Sequence, residues 1–272
     1  MPLKIPDDAV AVFTSDIHLT HAHPVKRKLF LKRLKDTGLP VICAGDIADG
    51  LSLETELHAL ANACVHGFYF VPGNHDYWHS GLDNTETRLR RICRDRQNLV
   101  LLPTMGAVPL APGLSLVGPW GWYDLAGRNL THSMLYRHND FEYIPELSRC
   151  QSSAEAEAVI KAKARDATAQ LKTVLDTVRT GDTAVVVSHV PPFPRMNVQW
   201  SELWPMYVWE SGGRTAVEWA VDGKQVLWLC GHTHDQAEVS IGNVRAVSAA
   251  AKYQHPRIQG FLTSDGNLVE AE

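Results

Sequence analysis

Continuous apolar runs alternate with amphipathic segments in the first third of the chain. The runs at residues 9–13, 39–44 and 68–71 are typical of strands that are buried on both faces. Residues 24–35 and 52–64, which lie between them, carry apolar positions at helical spacing. Because strands and helices alternate, the pattern predicts a βαβαβ unit with a parallel sheet and right-handed crossovers.

Further elements are predicted in the rest of the chain. Asp83 and Glu86 have the spacing of a capping box, which predicts a helix that continues to Arg96. The turn dipeptides Gly242-Asn243 and Asp265-Gly266 predict two β-hairpins that complete a second sheet. Apolar periodicity predicts strands at residues 98–102, 114–118, 183–187 and 226–229, and helices at residues 152–178 and 215–221.

Two long stretches, residues 119–150 and 191–213, show no sustained periodicity. Their aromatic content disfavours disorder, so we interpret them as loop insertions in a single domain that spans residues 1–272. For the first insertion the alternatives are contact with a substrate, through His132, His138 and Asp140, and packing of its tryptophans in the core. The second insertion contains Trp200, Trp204 and Trp209. For these tryptophans we favour a flap that packs against the rest of the protein over a surface on which nucleic-acid bases stack.

The composition is that of an ordinary globular protein, with 45% hydrophobic and 21% charged residues. A formal net charge of -4 gives no general attraction to nucleic acid, so a nucleic-acid polymer is not expected as a partner.

No signal-peptide core and no apolar run near the roughly 18 residues of a membrane span occur, so a cytoplasmic location without a membrane partner is expected. Five widely spaced cysteines, none in a C-x-x-C pair, predict buried free thiols.

Five of the predicted strands end in residues whose side chains can bind metal ions. Because the carboxyl ends of parallel strands meet at one edge of a sheet, we expect these side chains to converge. Imidazole nitrogens and carboxylate oxygens are ligands for divalent transition ions. Two ions about 3.5–4 Å apart need a bridging carboxylate, for which Asp46 is the candidate. The residues are Asp16, His18, Asp46, Asn74, His75, Asp76, His189, His232 and His234.

Each of these residues has a simpler interpretation when it is considered alone. A single histidine after a strand, such as His189, is more often hydrogen-bonded in a structural role than bound to a metal. Asn74 after Gly73 is common turn chemistry. The occurrence of all the groups at successive strand ends favours the metal-binding interpretation over these alternatives.

The same residues form a series of motifs that resembles one protein family. In chain order the motifs are Asp16-x-His18, Gly45-Asp46, Gly73-Asn74-His75-Asp76, His189 and Gly231-His232-x-His234. They resemble those of the calcineurin-like metallophosphoesterases of bacterial type, and all of them occur within residues 16–234. The resemblance implies a mixed α/β fold, a four-layer αββα sandwich in which two mixed β-sheets pack face to face with helices outside.

The resemblance also implies a role for each residue. The ligands of the first ion would be Asp16, His18, Asp46 and His234. The ligands of the second ion would be Asp46, Asn74, His189 and His232. His75 would protonate the leaving alkoxide or contact a phosphoryl oxygen, and Asp76 would orient the His75 ring.

These observations lead to the hypothesis of a dinuclear-metal phosphoesterase, in which a hydroxide held between two ions attacks phosphorus. We favour a phosphodiester, such as a nucleotide or another small organophosphate, because a histidine acid helps to expel an alkoxide and aromatic loops can hold an organic group on each side. A phosphomonoesterase of phosphoproteins or phosphometabolites is the alternative, and a metal-free scaffold is disfavoured because every ligand is present. The ligands accept manganese, iron, zinc, nickel or cobalt, of which manganese is favoured, and the oligomeric state stays open.

Overall fold

Two mixed six-stranded β-sheets pack face to face, and helices cover the outer face of each sheet. The computed structural model of the chain describes residues 3–197 and 203–271. The strands are β1 Ala9–Thr14, β2 Val41–Cys43, β3 Phe68–Phe70, β4 Leu99–Leu101, β5 Val108–Ala111, β6 Leu114–Val117, β7 Thr183–Val187, β8 Val226–Cys230, β9 Ala237–Ile241, β10 Val244–Ser248, β11 Gly260–Thr263 and β12 Leu268–Glu270. The helices are α1 Pro24–Thr37, α2 Leu53–Ala63, α3 Leu82–Asp95, α4 His132–Arg137, α5 Asp140–Tyr143, α6 Pro145–Ser148, α7 Ser153–Leu175 and α8 Glu210–Trp219. This arrangement confirms the four-layer αββα sandwich.

The first sheet has the strand order β12-β11-β1-β2-β3-β4, and its four strands from β1 to β4 are parallel. Helices α1, α2 and α3 connect these strands and pack on the outer face of the sheet, around residues such as Val12 and Val41. The neighbouring residues Phe13 and Ile42 point to the opposite face and contact the second sheet. Since successive strand residues face opposite sides, one continuous apolar run supplies both cores. The predicted βαβαβ start is therefore confirmed.

Helix α3 begins differently from the prediction. Its N-cap residue is Gly81, so Asp83 lies in the first turn and does not form a capping box with Glu86. The carboxylate of Glu146 accepts a hydrogen bond from the Leu82 backbone N–H at 2.8 Å instead. The group that satisfies this free N–H therefore comes from a distant part of the chain, which local spacing cannot indicate.

The second sheet has the order β5-β6-β7-β8-β10-β9, with a parallel centre from β6 to β10. The turn at Gly242-Asn243 joins β9 and β10 in this sheet, as predicted. The hairpin around Asp265-Gly266 belongs to the first sheet instead, because β11 pairs with β1 in antiparallel fashion. Strand β5, which contains Pro109, lies at the sheet edge and was not predicted.

The two insertions contain more regular structure than the sequence indicates. Three short helices, α4 to α6, lie within residues 119–150. In the second insertion Trp209 is fully buried, and its ring packs edge-on against Trp228 at 5.8 Å. Trp200 lies outside the described residues. Among the helices that the structure describes, none has both the length and the apolar character needed to span a bilayer, and a cytoplasmic location stays a prediction.

Candidate active site

The predicted site residues converge where strands β1, β2, β3, β7 and β8 end. All of them are buried except His234, whose side chain is 22% exposed. Most surround a cavity of about 300 Å³ between the two sheets, at the edge where the parallel strands of both sheets terminate. Asp76 lies beneath this cavity, within the loops that form its floor.

The backbone at this edge adopts an uncommon conformation. Five of the predicted metal ligands have positive φ angles, a conformation that costs non-glycine residues on the order of 1–3 kcal/mol each. Their φ values are 50° at Asp16, 39° at His18, 52° at Asp46, 70° at His232 and 59° at His234. Backbone hydrogen bonds between loops hold the turns in place, from Asp16 N–H to Gly45 O and from His18 N–H to Asp46 O, both at 3.0 Å. Strain of this kind, concentrated at one edge, is typical of a functional site.

Two motif glycines give the carboxylates the space that they occupy. A Cβ atom on Gly73 would lie 2.2 Å from Asp46 Oδ1, and one on Gly231 would lie 2.1 Å from Asp16 Oδ2. Contacts this short are impossible for real Cβ atoms, so a side chain at either position would displace the carboxylate beside it. The glycines in these motifs therefore have a steric function.

The first group of ligands comprises Asp16, His18, Asp46 and His234, whose donor atoms all lie within 4.8 Å of one another. His234 Nε2 is 3.2 Å from His18 Nε2 and 3.3 Å from Asp16 Oδ1. His18 Nε2 is 3.7 Å from Asp46 Oδ2. Two imidazole nitrogens and two carboxylates thus face a common point, which is the donor set of a divalent transition ion.

Hydrogen bonds fix the tautomers in the second group. His189 Nδ1 lies 2.8 Å from the Ala44 carbonyl, and His232 Nε2 lies 3.0 Å from the Met206 carbonyl. A carbonyl oxygen only accepts, so these two nitrogens carry the protons. The opposite ring nitrogens, His189 Nε2 and His232 Nδ1, face each other at 3.2 Å.

Two further acceptors complete the second group. His189 Nε2 is 3.1 Å from Asn74 Oδ1 and 3.3 Å from Asp46 Oδ1. Four atoms thus surround one point, and each offers a lone pair to a cation when the His189 ring is neutral. Without a cation, protonation of His189 Nε2 supplies the positive charge that these atoms require. The residues fit a bound cation at this position. The two oxygens of Asp46 face different groups, Oδ2 the first and Oδ1 the second.

The charges at the site are consistent with this interpretation. Burial disfavours ionisation of Asp16, yet its hydrogen bond to His234 and the nearby histidines lower the pKa of Asp16 to about 2. Burial opposes protonation of His189 too, but Asp46 raises the pKa of His189 to about 10. Burial, followed by the charge on His189, lowers the pKa of His232 to about 3. The low pKa values of Asp16 and Asp46 keep these two carboxylates ionised, and the second group holds a positive charge, which is a proton on His189 or a cation in its place.

His75 lies beside both groups. Its backbone N–H donates to Asp46 Oδ1 at 2.9 Å, and its ring stacks on Trp78 with the ring centres 3.4 Å apart. His75 Nε2 is 3.4 Å from the Tyr253 hydroxyl, and Nδ1 is 3.4 Å from Asp49 Oδ1. Burial lowers the pKa of His75, but Asp46 and the hydrogen bond to Asp49 outweigh it, so the net shift is upward.

The expected contact between Asp76 and the His75 ring is wrong. The carboxylate of Asp76 accepts hydrogen bonds from the backbone N–H groups of Ile47, Ala48 and Gly73, at 2.8–3.0 Å. Residues His75–Tyr77 form a turn of 3₁₀-helix, which directs neighbouring side chains away from each other. Asp76 ties the loop after β3 to the loop after β2, and Asp49 faces the ring. The signal for Asp49 was its place three residues after Asp46.

The first insertion supplies another buried carboxylate, Asp140, for which the sequence suggested contact with a substrate and no role beside the metal ligands. Asp140, the first residue of α5, accepts hydrogen bonds from Asn74 Nδ2 at 2.9 Å, Trp78 Nε1 at 2.8 Å and Tyr123 Oη at 2.9 Å. Burial raises the pKa of Asp140, but His138 and these donors outweigh it and lower the pKa. His138 and Asn139, from the same insertion, line the cavity at the metal ligands.

The fold and the site together define a metal-dependent phosphohydrolase with a dinuclear divalent-metal site. The chain belongs to the calcineurin-like phosphoesterase family, whose model matches residues 10–236. No curated relative matches the sequence. The structure is similar to a phosphopantetheinyl hydrolase from Mycobacterium tuberculosis, with a TM-score of 0.64, 19% identity and 91% of each chain covered. It is also similar to a dimetal phosphatase from Danio rerio, with a TM-score of 0.52, 16% identity, and 89% of this chain and 88% of that chain covered.

Proposed function

We propose that this protein hydrolyses small phosphodiesters with two divalent transition-metal ions, of which manganese is favoured. The observation that carries this proposal is the pair of ligand groups that share Asp46, with one carboxylate oxygen facing each group. The first ion would be held by Asp16, His18, Asp46 and His234, and the second by Asp46, Asn74, His189 and His232. Two ions bound there would acidify a water molecule and neutralise charge on the phosphoryl group.

His75 is proposed as the acid that assists the leaving group. Its Nε2 lies at the cavity, where it can donate to a leaving oxygen or a phosphoryl oxygen, while Asp49 at Nδ1 stabilises the protonated ring. Trp78 fixes the plane of the ring by stacking on it. Asp76 is proposed to hold the loops after β2 and β3 together and to take no part in proton transfer.

A second cavity supports a substrate with an organic group on the leaving side. This cavity of about 530 Å³ adjoins the metal-ligand cavity and shares His75, Trp78, Asn139 and Tyr253 with it. Tyr143 and Tyr253 give it an aromatic wall, which suits an organic group better than solvent. A phosphodiester has an organic group on each side of phosphorus, whereas a phosphomonoester needs only one such space.

The phosphomonoesterase remains the second candidate, and kinetics separates the two. We expect kcat/KM for bis(p-nitrophenyl) phosphate to exceed that for p-nitrophenyl phosphate when both are measured with manganese-loaded protein. A clear preference for the monoester would overturn the diester assignment. A wider panel of diesters, with nucleotides, cyclic nucleotides and a phosphopantetheinyl ester, would then define the organic group.

The control for metal-dependent chemistry is Asp46→Asn. An amide lacks the negative charge needed to hold two cations, so this variant should lose at least about 100-fold in kcat/KM on every substrate of the panel. Activity that survives in Asp46→Asn at the wild-type level would show that the hydrolysis does not use this site.

A further inference from the structure

Asp140 lies at the centre of a buried hydrogen-bond network beneath the candidate metal site. Its side chain has no exposed surface, and it comes from an insertion whose sequence has no recognisable periodicity. Its Oδ1 accepts from both Asn74 Nδ2 and Trp78 Nε1, and its Oδ2 accepts from Tyr123 Oη. A carboxylate that is surrounded by donors in this way is fixed in position, because any rotation would leave buried N–H groups without a partner.

The bond to Asn74 determines which end of the amide faces the ligand group. An asparagine side chain has one acceptor, Oδ1, and one donor, Nδ2. Because Asp140 accepts from Nδ2, the Oδ1 atom is directed to His189 Nε2, 3.1 Å away. In the reversed orientation the amide nitrogen would face the cation, to which it offers no lone pair, and Oδ1 would face the Asp140 carboxylate. Both contacts would be repulsive.

The bond to Trp78 extends the same network to the proposed acid. The indole that donates to Asp140 stacks on the His75 ring at 3.4 Å between ring centres. One carboxylate therefore accepts hydrogen bonds from Asn74, the proposed metal ligand, and from Trp78, which stacks on the proposed acid His75.

We propose that Asp140 is a positioning residue that selects the metal-facing orientation of the Asn74 amide and so sets the affinity of the second ion. This inference rests on the proposed dinuclear function. It assigns Asp140 to one ion only, because its carboxylate contacts a ligand of the second group and none of the ligands that belong to the first group alone. Loss of Asp140 should therefore separate the two ions in affinity.

The test is manganese binding by Asp140→Leu, a substitution that keeps the approximate size of the side chain and removes the oxygen that accepts from Asn74 Nδ2. Equilibrium dialysis with metal analysis should show one ion bound with an affinity within about three-fold of wild type. The other should be weakened by about 10- to 100-fold, the range for loss of a group that orients a ligand. Unchanged affinity for both ions, or equal weakening of both in a protein with a wild-type circular dichroism spectrum, would overturn the assignment.

Tyr123→Phe is the matched control. It removes one hydrogen bond from the other oxygen of the same carboxylate and leaves the bond to Asn74 in place. The variant should bind two ions with affinities within about three-fold of wild type. If it weakens the second ion as much as Asp140→Leu does, the effect reflects general loosening of the network and the assignment is wrong.

A structure of the wild-type protein loaded with manganese gives an answer that does not depend on folding of any variant. The assignment requires Asn74 Oδ1 on the ion and Nδ2 within about 3.2 Å of Asp140. An amide that has turned away from Asp140 in the loaded protein would contradict it. Wild-type protein that binds no manganese would contradict the proposed function itself, whereas two tightly bound ions in both wild type and Asp140→Leu would contradict only the role of Asp140.

Discussion

Replacement of Asp49 by asparagine tests the assignment of the group that holds the proton on His75. Asp49 Oδ1 lies 3.4 Å from His75 Nδ1, and both side chains are largely buried. At an effective dielectric constant of about 20, Coulomb's law gives roughly 5 kcal/mol for a full charge pair at this distance. Hydration lost on pairing reduces the net value to about 1.5–3 kcal/mol, the range for hydrogen bonds to charged groups. At a pH above the lowered pKa of His75, this corresponds to a loss of about 10- to 150-fold in the protonated fraction of the acid, and hence in kcat.

The pH dependence provides a second readout. Asp49 contributes to raising the pKa of His75, so the folded protein keeps this ring protonated to higher pH than an unperturbed histidine. A general acid is active below its pKa. Removal of the Asp49 charge should therefore move the alkaline limb of the kcat profile to lower pH. The rate loss should also be larger for an alkyl ester than for a p-nitrophenyl ester, because the poorer leaving group depends more on the proton.

Asp76→Asn is the comparison that can refute this reasoning. Its carboxylate accepts three backbone hydrogen bonds and none from the His75 ring, so the variant should leave the ratio of alkyl to p-nitrophenyl turnover unchanged. If Asp76→Asn changes that ratio and Asp49→Asn does not, Asp76 is the partner of the acid and the assignment of Asp49 is wrong.

Three further predictions concern packing, metal and thiols. Gly73→Ala should abolish tight metal binding, since its Cβ would lie 2.2 Å from Asp46 Oδ1, whereas Gly106→Ala, with its nearest atom at 3.5 Å, should bind two ions as wild type does. Manganese at 100 times its dissociation constant should stabilise the fold by about 2.7 kcal/mol per site, so chelation should lower the thermal midpoint; an unchanged midpoint would contradict metal binding. Three cysteines, Cys43, Cys64 and Cys230, are buried, and burial raises the pKa of Cys64 to about 12. Ellman's reagent should therefore not label these three thiols in native protein, and rapid labelling of them would contradict this packing.

The strand ends that carry the candidate site could be predicted because each one is a local pattern. A buried apolar run followed by polar residues marks the point where the chain leaves the sheet, and parallel strands bring such points to one edge. Asp16, Asp46, Asn74, His189 and His232 were all located in this way. The continuous apolar character of the same runs also predicted that these strands are covered on both faces.

The features that the sequence did not indicate depend on contacts between distant segments. Strand β11 pairs with β1, although the two strands lie near opposite ends of the sequence. Nothing in the sequence of the hairpin itself shows which sheet it joins. The free N–H of Leu82 is satisfied by Glu146, which is 64 residues away. The network around Asp140 is of the same kind, because two of its three donors, Asn74 and Trp78, come from the loop after β3, more than 60 residues earlier in the chain. A single buried carboxylate in an aperiodic insertion looks like any loop aspartate until its partners are known.

The geometry of the 3₁₀ turn explains the error over Asp76. Adjacent residues in the motif suggested an acid and its orienting group, but the turn separates their side chains and places Asp76 beneath the loops. The partner of the His75 ring is Asp49, which lies three residues after the proposed bridging carboxylate Asp46. Adjacency in sequence therefore suggested a contact between Asp76 and the His75 ring that the structure does not have.

Anomalous diffraction from crystals of the manganese-loaded protein tests the central claim most directly. The proposed dinuclear site predicts two anomalous peaks about 3.5–4 Å apart, with Asp46 between them. The first peak should lie beside His18 and the second beside His189. A single peak, or two peaks that do not share Asp46, would contradict the dinuclear site on which the proposed phosphodiester hydrolysis depends.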